Sequence, residues 1–173
     1  MTLPYTDLGK RRHFSKMIKF QYKDLILLIK SDFKIDFNGN HGIAHWQRVF
    51  KNTQILAQHY QLESKVFELF ALLHDAKREN EFFDESHGPR AAVFAKKLIN
   101  EEMISLSKED EKRLLYACAN HTVNDTQNPL FNDLIVQICF DSDRLDIGRV
   151  GIVPDTKYMA TEYAKELVLS KRK

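Results

Sequence analysis

Three apolar runs in this chain end on groups that can bind a metal ion. Val66-Phe67-Glu68-Leu69-Phe70-Ala71-Leu72-Leu73 leads into His74-Asp75, Leu114 to Cys118 leads to His121, and Ile135, Val136 and Ile138 lead to Asp141-Ser142-Asp143. An imidazole beside a carboxylate offers nitrogen and oxygen donors, which suit Mn, Fe, Co, Ni or Zn, with Mg admitted by the carboxylates; no thiolate is offered to a softer ion. His41 and His45 stand four apart, and His45, Arg48 and Asn52 continue the spacing, so one helix face carries imidazole, guanidinium and amide. A solvated stripe would usually hold Lys and Glu instead. His87 and Arg90 flank Gly88-Pro89, a helix-start signal that sets both near backbone N–H groups able to receive an anion.

These groups need helices to position them. Phe14, Met17, Ile18, Leu25, Leu28 and Ile29 recur at helical spacing, which predicts a first helix from about His13 to before the turn at Asp36-Phe37-Asn38-Gly39-Asn40. A second is predicted over Ile43–Tyr60 and a third over Glu63–Ala76, capped near Ser64. The third is apolar on most sides and therefore buried, which carries His74-Asp75 inward; a buried Asp must be paired, hydrogen-bonded or metal-bound. A fourth is predicted from Pro89 to about Met103, and a fifth starts at the Ser107 cap with acidic residues in its first turn. A sixth covers about Leu130–Phe140 and a last about Thr156–Ser170, capped by Asp155 or Thr156. His13 and His59 read as surface or capping residues. No strand alternation stands out, so the expected fold is all-α, a single-domain helical bundle over residues 1–173. His45, His74, Asp75, His121 and Asp143 come from four of its helices, the way bundles assemble metal sites. Two His and two Asp would hold one ion and leave positions for water and substrate.

Composition narrows the classes. The 173 residues are 43% hydrophobic and 29% charged, with a net charge of +2, so neither disorder nor a charge-driven nucleic-acid binder is indicated. Lys10-Arg11-Arg12 and Lys171-Arg172-Lys173 read as solvated ends. Two cysteines, Cys118 and Cys139, sit in apolar contexts and read as buried hydrophobes, not a disulfide scaffold. The chain shows neither a signal-peptide pattern nor a run long enough to span a membrane, which makes a cytoplasmic protein the expectation.

At these residues the chain resembles the HD-domain metal-dependent phosphohydrolases, whose signature is a His, a His-Asp pair on the next helix and a distant Asp. Four ordered blocks carry the likeness: His41-Gly42-Ile43-Ala44-His45-Trp46-Gln47-Arg48-Val49, Leu72-Leu73-His74-Asp75-Ala76-Lys77-Arg78, His87-Gly88-Pro89-Arg90-Ala91-Ala92 and Asp141-Ser142-Asp143-Arg144-Leu145-Asp146. They look like those of a small branch of stand-alone bacterial HD proteins. The likeness covers about residues 40–152, with residues 1–39 and 153–173 as additional helices.

The resemblance implies metal ligands His45, His74, Asp75 and Asp143. It favours Asp143 over Asp141 because the ligand Asp commonly stands in an Asp-Arg-Leu context. Asp141, His41 and Arg48 are then expected behind the ligands. It implies hydrolysis of a phosphoester or phosphoanhydride of a small molecule, such as a nucleotide. Arg78, Arg144, Arg90 and Lys77 would balance the phosphate charge, Asp75 would hold the attacking water, and His121 or His87 would donate a proton to the leaving group. One ion is the main expectation. Two irons would require His87 and His121 as ligands and would point to a binuclear iron oxygenase. A nucleotide-binding sensor is the third reading. No membrane or specific nucleic-acid partner is expected. The first helix either covers the core or pairs with a second copy.

Overall fold

A computed structural model describes residues 22–123 and 126–170. Its chain divides into two units, Met1–Asp32 and Phe33–Lys173. The first contributes helix α1, Lys23–Asp32; the expected start of this helix near His13 lies outside the described residues. The second holds α2 (Ile43–His59), α3 (Lys65–Leu73), α4 (His87–Asn100), α5 (Lys108–Asn120), α6 (Leu134–Arg144) and α7 (Glu162–Ser170), with short 3-10 turns at Pro129–Asn132, Ile147–Val150 and Thr156–Tyr158. There is no strand among the described residues. The fold is all-α, as the periodicity predicts. No helix among the described residues is long and apolar enough to cross a membrane.

The central helix is α3. Val66, Phe67, Leu69, Phe70, Ala71, Leu72 and Leu73 are all buried, and α2, α5 and α6 pack around it. Burying side chains of this size stabilises by about 1.5–3 kcal/mol each. The all-round apolar surface makes the helix a core element and leaves its C-terminus facing inward. Ser64 caps its start by accepting from the Val66 N–H.

Local signals decide where the helices stop, and here the structure departs from the expected boundaries. The third helix ends at Leu73, with His74 as its cap and Asp75 in the following turn, instead of at Ala76. The expected helix over Leu130–Phe140 is two elements, because Asp133 accepts from Ile135 and Val136 and so starts α6 afresh. That helix then runs through Asp141 and Asp143 to Arg144. The expected last helix is also split. Asp155 caps only the turn at 156–158, and α7 begins at Glu162.

Two glycines allow the close approaches that shape the site. Both directly follow histidines. A Cβ on Gly42 would lie 1.9 Å from the carbonyl oxygen of Phe37, and one on Gly88 would lie 2.8 Å from the carbonyl oxygens of both Cys118 and Ala119. Glycine at 42 folds the Asp36–Gly42 turn onto the start of α2. Glycine at 88 presses the start of α4 against the end of α5. Phe33, Phe37 and Trp46 meet edge to face with centroids 5.4–5.9 Å apart, and the Trp46 indole donates to the His41 carbonyl at 2.9 Å. His41 is thereby fixed beside the end of α3.

Candidate metal centre

Six side chains converge at the end of α3, in two groups. His45, His74 and Asp143 form one; Asp75, His87 and His121 form the other. In each, the donor atoms lie within 4.8 Å of one another. The helices explain the convergence: α2 presents His45 one turn inside its start, α3 delivers His74 and Asp75, α4 opens with His87, α5 ends on His121 and α6 contributes Asp143. All but Asp143 are buried, and its side chain is 14% exposed.

The hydrogen bonds fix the tautomers. A neutral imidazole has one donor and one acceptor nitrogen, so whichever nitrogen faces a carbonyl or carboxylate carries the proton. His45 donates through Nδ1 to Asp146 Oδ2 at 2.7 Å, His74 to the Phe70 carbonyl at 3.0 Å and His121 to the Cys118 carbonyl at 2.9 Å; His87 donates to the Asp84 carbonyl. In the neutral rings every Nε2 is therefore a lone pair. These lone pairs face each other in twos: His45 and His74 at 3.0 Å, His87 and His121 at 2.9 Å. Two lone pairs at that distance repel unless a cation lies against both. Asp143 Oδ1 points into the first group and is buried without a hydrogen-bond partner. An orphaned carboxylate oxygen and paired imidazole lone pairs are the donor set of a divalent-ion site, and these residues fit one.

Asp75 serves both groups. Its Oδ2 lies 3.6 Å from His45 and 3.7 Å from His74, while Oδ1 lies 3.3 Å from His87 and 3.8 Å from His121. His41 Nδ1 donates to Oδ2 at 3.0 Å and holds the carboxylate plane in place.

The electrostatics favour ionised carboxylates at Asp75 and Asp143 and neutral imidazoles at His74, His87 and His121. Burial pushes His74 and His121 down to about 4 and lowers His87 as well. Burial also acts to lower His45, but the carboxylates of Asp143 and Asp146 outweigh it and hold that imidazole above its usual value. For Asp75 and Asp143 burial acts to raise the carboxyl, and the surrounding imidazoles, joined at Asp143 by Arg149, hold both well below the usual carboxylate range.

The remaining expected residues divide. Arg78 reaches the centre, with Nη1 3.4 Å from Asp75 Oδ1 and 3.3 Å from His87 Nε2. Its Nη2 donates to the Phe82 carbonyl at 2.7 Å. Arg48 stands one layer out, donating to Asp146 Oδ1 at 2.7 Å. Arg90 is engaged by Asp84 and the Lys77 carbonyl, and the Lys77 ammonium lies 4.0 Å over the Phe94 ring. Arg144 donates to the Tyr158 carbonyl and lies over Phe140. Asp141 holds the start of α7, accepting from Ala160 N, Thr161 N and Thr161 Oγ1, each at 2.7 Å.

Sequence reasoning missed Asp146 and Arg149. Asp146 follows Asp143 by three residues, a spacing that shares a helix face and could have singled it out. Arg149 lies beyond the helix and carries no comparable signal.

No family model matches the chain. No curated protein matches it. Among solved structures the chain is similar to a crystal structure described as a predicted HD superfamily hydrolase from an uncultured Thermotogales bacterium, with a TM-score of 0.62 and 23% identity over 87% of this chain and 85% of that one. The likeness shows the fold: this chain has the HD-domain fold, with paired His/Asp groups able to hold metal at its centre.

Proposed function

We propose that this protein is a metal-dependent phosphohydrolase acting on a small phosphorylated molecule, a nucleotide being the leading class, and that it works with two divalent ions. The observation that carries the reading is the pairing of four imidazole lone pairs around a carboxylate that faces both pairs. The sequence pattern favours one ion held by His45, His74, Asp75 and Asp143; the arrangement adds His87 and His121 on the other side of Asp75. Imidazole nitrogens and carboxylate oxygens without a thiolate would suit Mn, Fe, Co, Ni or Zn.

When bound, the ions would supply hydroxide from water near neutral pH and positive charge to a phosphoryl oxygen. The chain's own residues do the rest. Asp75 keeps the two groups in register, and His41 keeps Asp75 from turning. Asp146 fixes the His45 tautomer. Arg78, buried beside Asp75 and His87, adds a fixed positive charge where a phosphate would enter, and costs no reorganisation when charge develops there. His87 and His121 donate their Nδ1 protons to carbonyls, which leaves a lone pair on each Nε2, the one at His87 with Arg78 Nη1 3.3 Å away. This geometry favours a ligand role for them over the proton-donor role.

Elemental analysis of untagged protein should find about two ions per chain. A phosphate-release screen should then give a chelator-sensitive hit. Fully loaded protein that releases no phosphate from nucleotides or small esters would sink the reading. The same six donors also favour a second reading, a binuclear iron oxygenase. Two irons together with dioxygen uptake on adding a substrate would establish that one instead.

A further inference from the structure

We propose that Arg149, on the 3-10 turn after α6, receives the substrate's anionic oxygen at the metal centre; this rests on the phosphohydrolase reading. Its side chain is only 10% exposed, yet its donors are incompletely used. Nε donates to the Asn40 carbonyl at 3.1 Å and Nη1 to the Asp146 carbonyl at 3.2 Å. Nη2 meets only His41 Nδ1, at 3.4 Å. That nitrogen faces the Asp75 carboxylate oxygen at 3.0 Å and is therefore the donor side of the imidazole. A protonated Nδ1 has no lone pair to offer, and arginine has donors only. Nη2 therefore has no acceptor among the described residues.

The nearest anion is also unsatisfied. Asp143 Oδ1 lies 3.7 Å from Nη1, beyond hydrogen-bond reach, and is itself buried without a partner. An unmet donor and an unmet acceptor stand side by side at the edge of the first donor group. A cation held by the first group would complete Asp143, and an oxygen bearing negative charge would complete Arg149. The two bonds from Nε and Nη1 to carbonyls hold the guanidinium plane in place before any ligand arrives. Arg78 stands at the other oxygen of Asp75 and its Nη1 faces the second group. Each donor group therefore has one guanidinium beside it, Arg149 at Asp143 and Arg78 at Asp75 and His87.

The test is inorganic phosphate binding by calorimetry on protein loaded to its full metal count, for wild type, Arg149→Gln and Arg149→Lys. Arg149→Gln should keep its metal and lose roughly tenfold or more in phosphate affinity, the scale of one charge-assisted bond. Arg149→Lys should recover part of the loss, because an ammonium restores charge without the fork. Wild-type phosphate affinity in fully loaded Arg149→Gln would overturn this assignment alone. A loaded wild type that binds no phosphate would overturn both it and the phosphohydrolase reading. Loss of metal in both variants would show that Arg149 serves to place Asp143 and would likewise overturn the anion role.

Discussion

Removing the Asp146 carboxylate tests whether the centre depends on the layer behind its ligands. His45 is wholly buried, its Nδ1–H is 2.7 Å from Asp146 Oδ2, and Arg48 holds the other oxygen at 2.7 Å. In Asp146→Ala the buried N–H loses its acceptor, which costs about 1–3 kcal/mol of stability. The imidazole is also freed to place its proton on Nε2, where it would block a ligand bond. Losing such a support typically costs about 10–100-fold in metal affinity, or about 1.4–2.8 kcal/mol. Asp146→Asn should fall between wild type and Ala, since its amide oxygen can still accept from His45 but no longer pairs with Arg48 as a charge. Competition titrations of Mn or Co against a chromophoric chelator would measure this, with circular dichroism to confirm that each variant remains helical. Folded Asp146→Ala with wild-type affinity for every ion would refute the argument that this carboxylate sets the tautomer.

Three further outcomes are expected. Asp141→Asn should lose about 2–3 kcal/mol of stability, seen in denaturant unfolding, because three donors at the start of α7 lose their charged acceptor, and it should keep its metal; Asp143→Asn should lose metal and change stability less, and the reverse order would exchange their roles. Gly88→Ala forces a methyl against the Cys118 and Ala119 carbonyls and should cost about 1–3 kcal/mol. It should also drop the metal count toward one as His87 is pushed off His121, and two tightly held ions would contradict the close-approach argument. Chelator-treated protein should lose thermal stability as pH falls from 6.5 to about 4, because His74 and His121 are depressed in the folded state and the unfolded chain binds their protons first. His45 has the opposite sign: its raised value gives stability below 6.5 that is lost as pH rises through it. A melting temperature flat between pH 6.5 and 4 would count against neutral buried imidazoles.

Much of this was legible because apolar helices end where chemistry begins. The run before His74-Asp75 is apolar on most sides, which forces burial, and burial makes an unpaired carboxylate a demand for a partner. That reasoning pointed to His45, His74, Asp75, His121 and Asp143 without coordinates. Spacing could not show that α4 and α5 touch at Gly88, so His87 and His121 were expected as proton donors, with a ligand role only in a two-ion alternative, and one ion was the main expectation. The basic residues were the least legible. Arg78 and Arg144 each follow a carboxylate of the pattern, but only Arg78 turns to the centre; Arg144 is drawn to the Tyr158 carbonyl and the Phe140 face. Arg149 belongs to a turn with no periodicity, and its aim is set by two backbone carbonyls that no sequence pattern displays. The breaks at Asp133 and Asp155 show the same limit, since a cap residue can start a new element inside an apparently continuous run.

The exposure of the two donor groups is unequal, and this bears on how ions bound there would exchange. The first group reaches solvent at Asp143; Asp75, His87 and His121 do not. An ion bound by the first group would sit against the more exposed carboxylate, and an ion bound by the second would be enclosed by side chains at most 4% exposed, so exchange at the second should be the slower of the two.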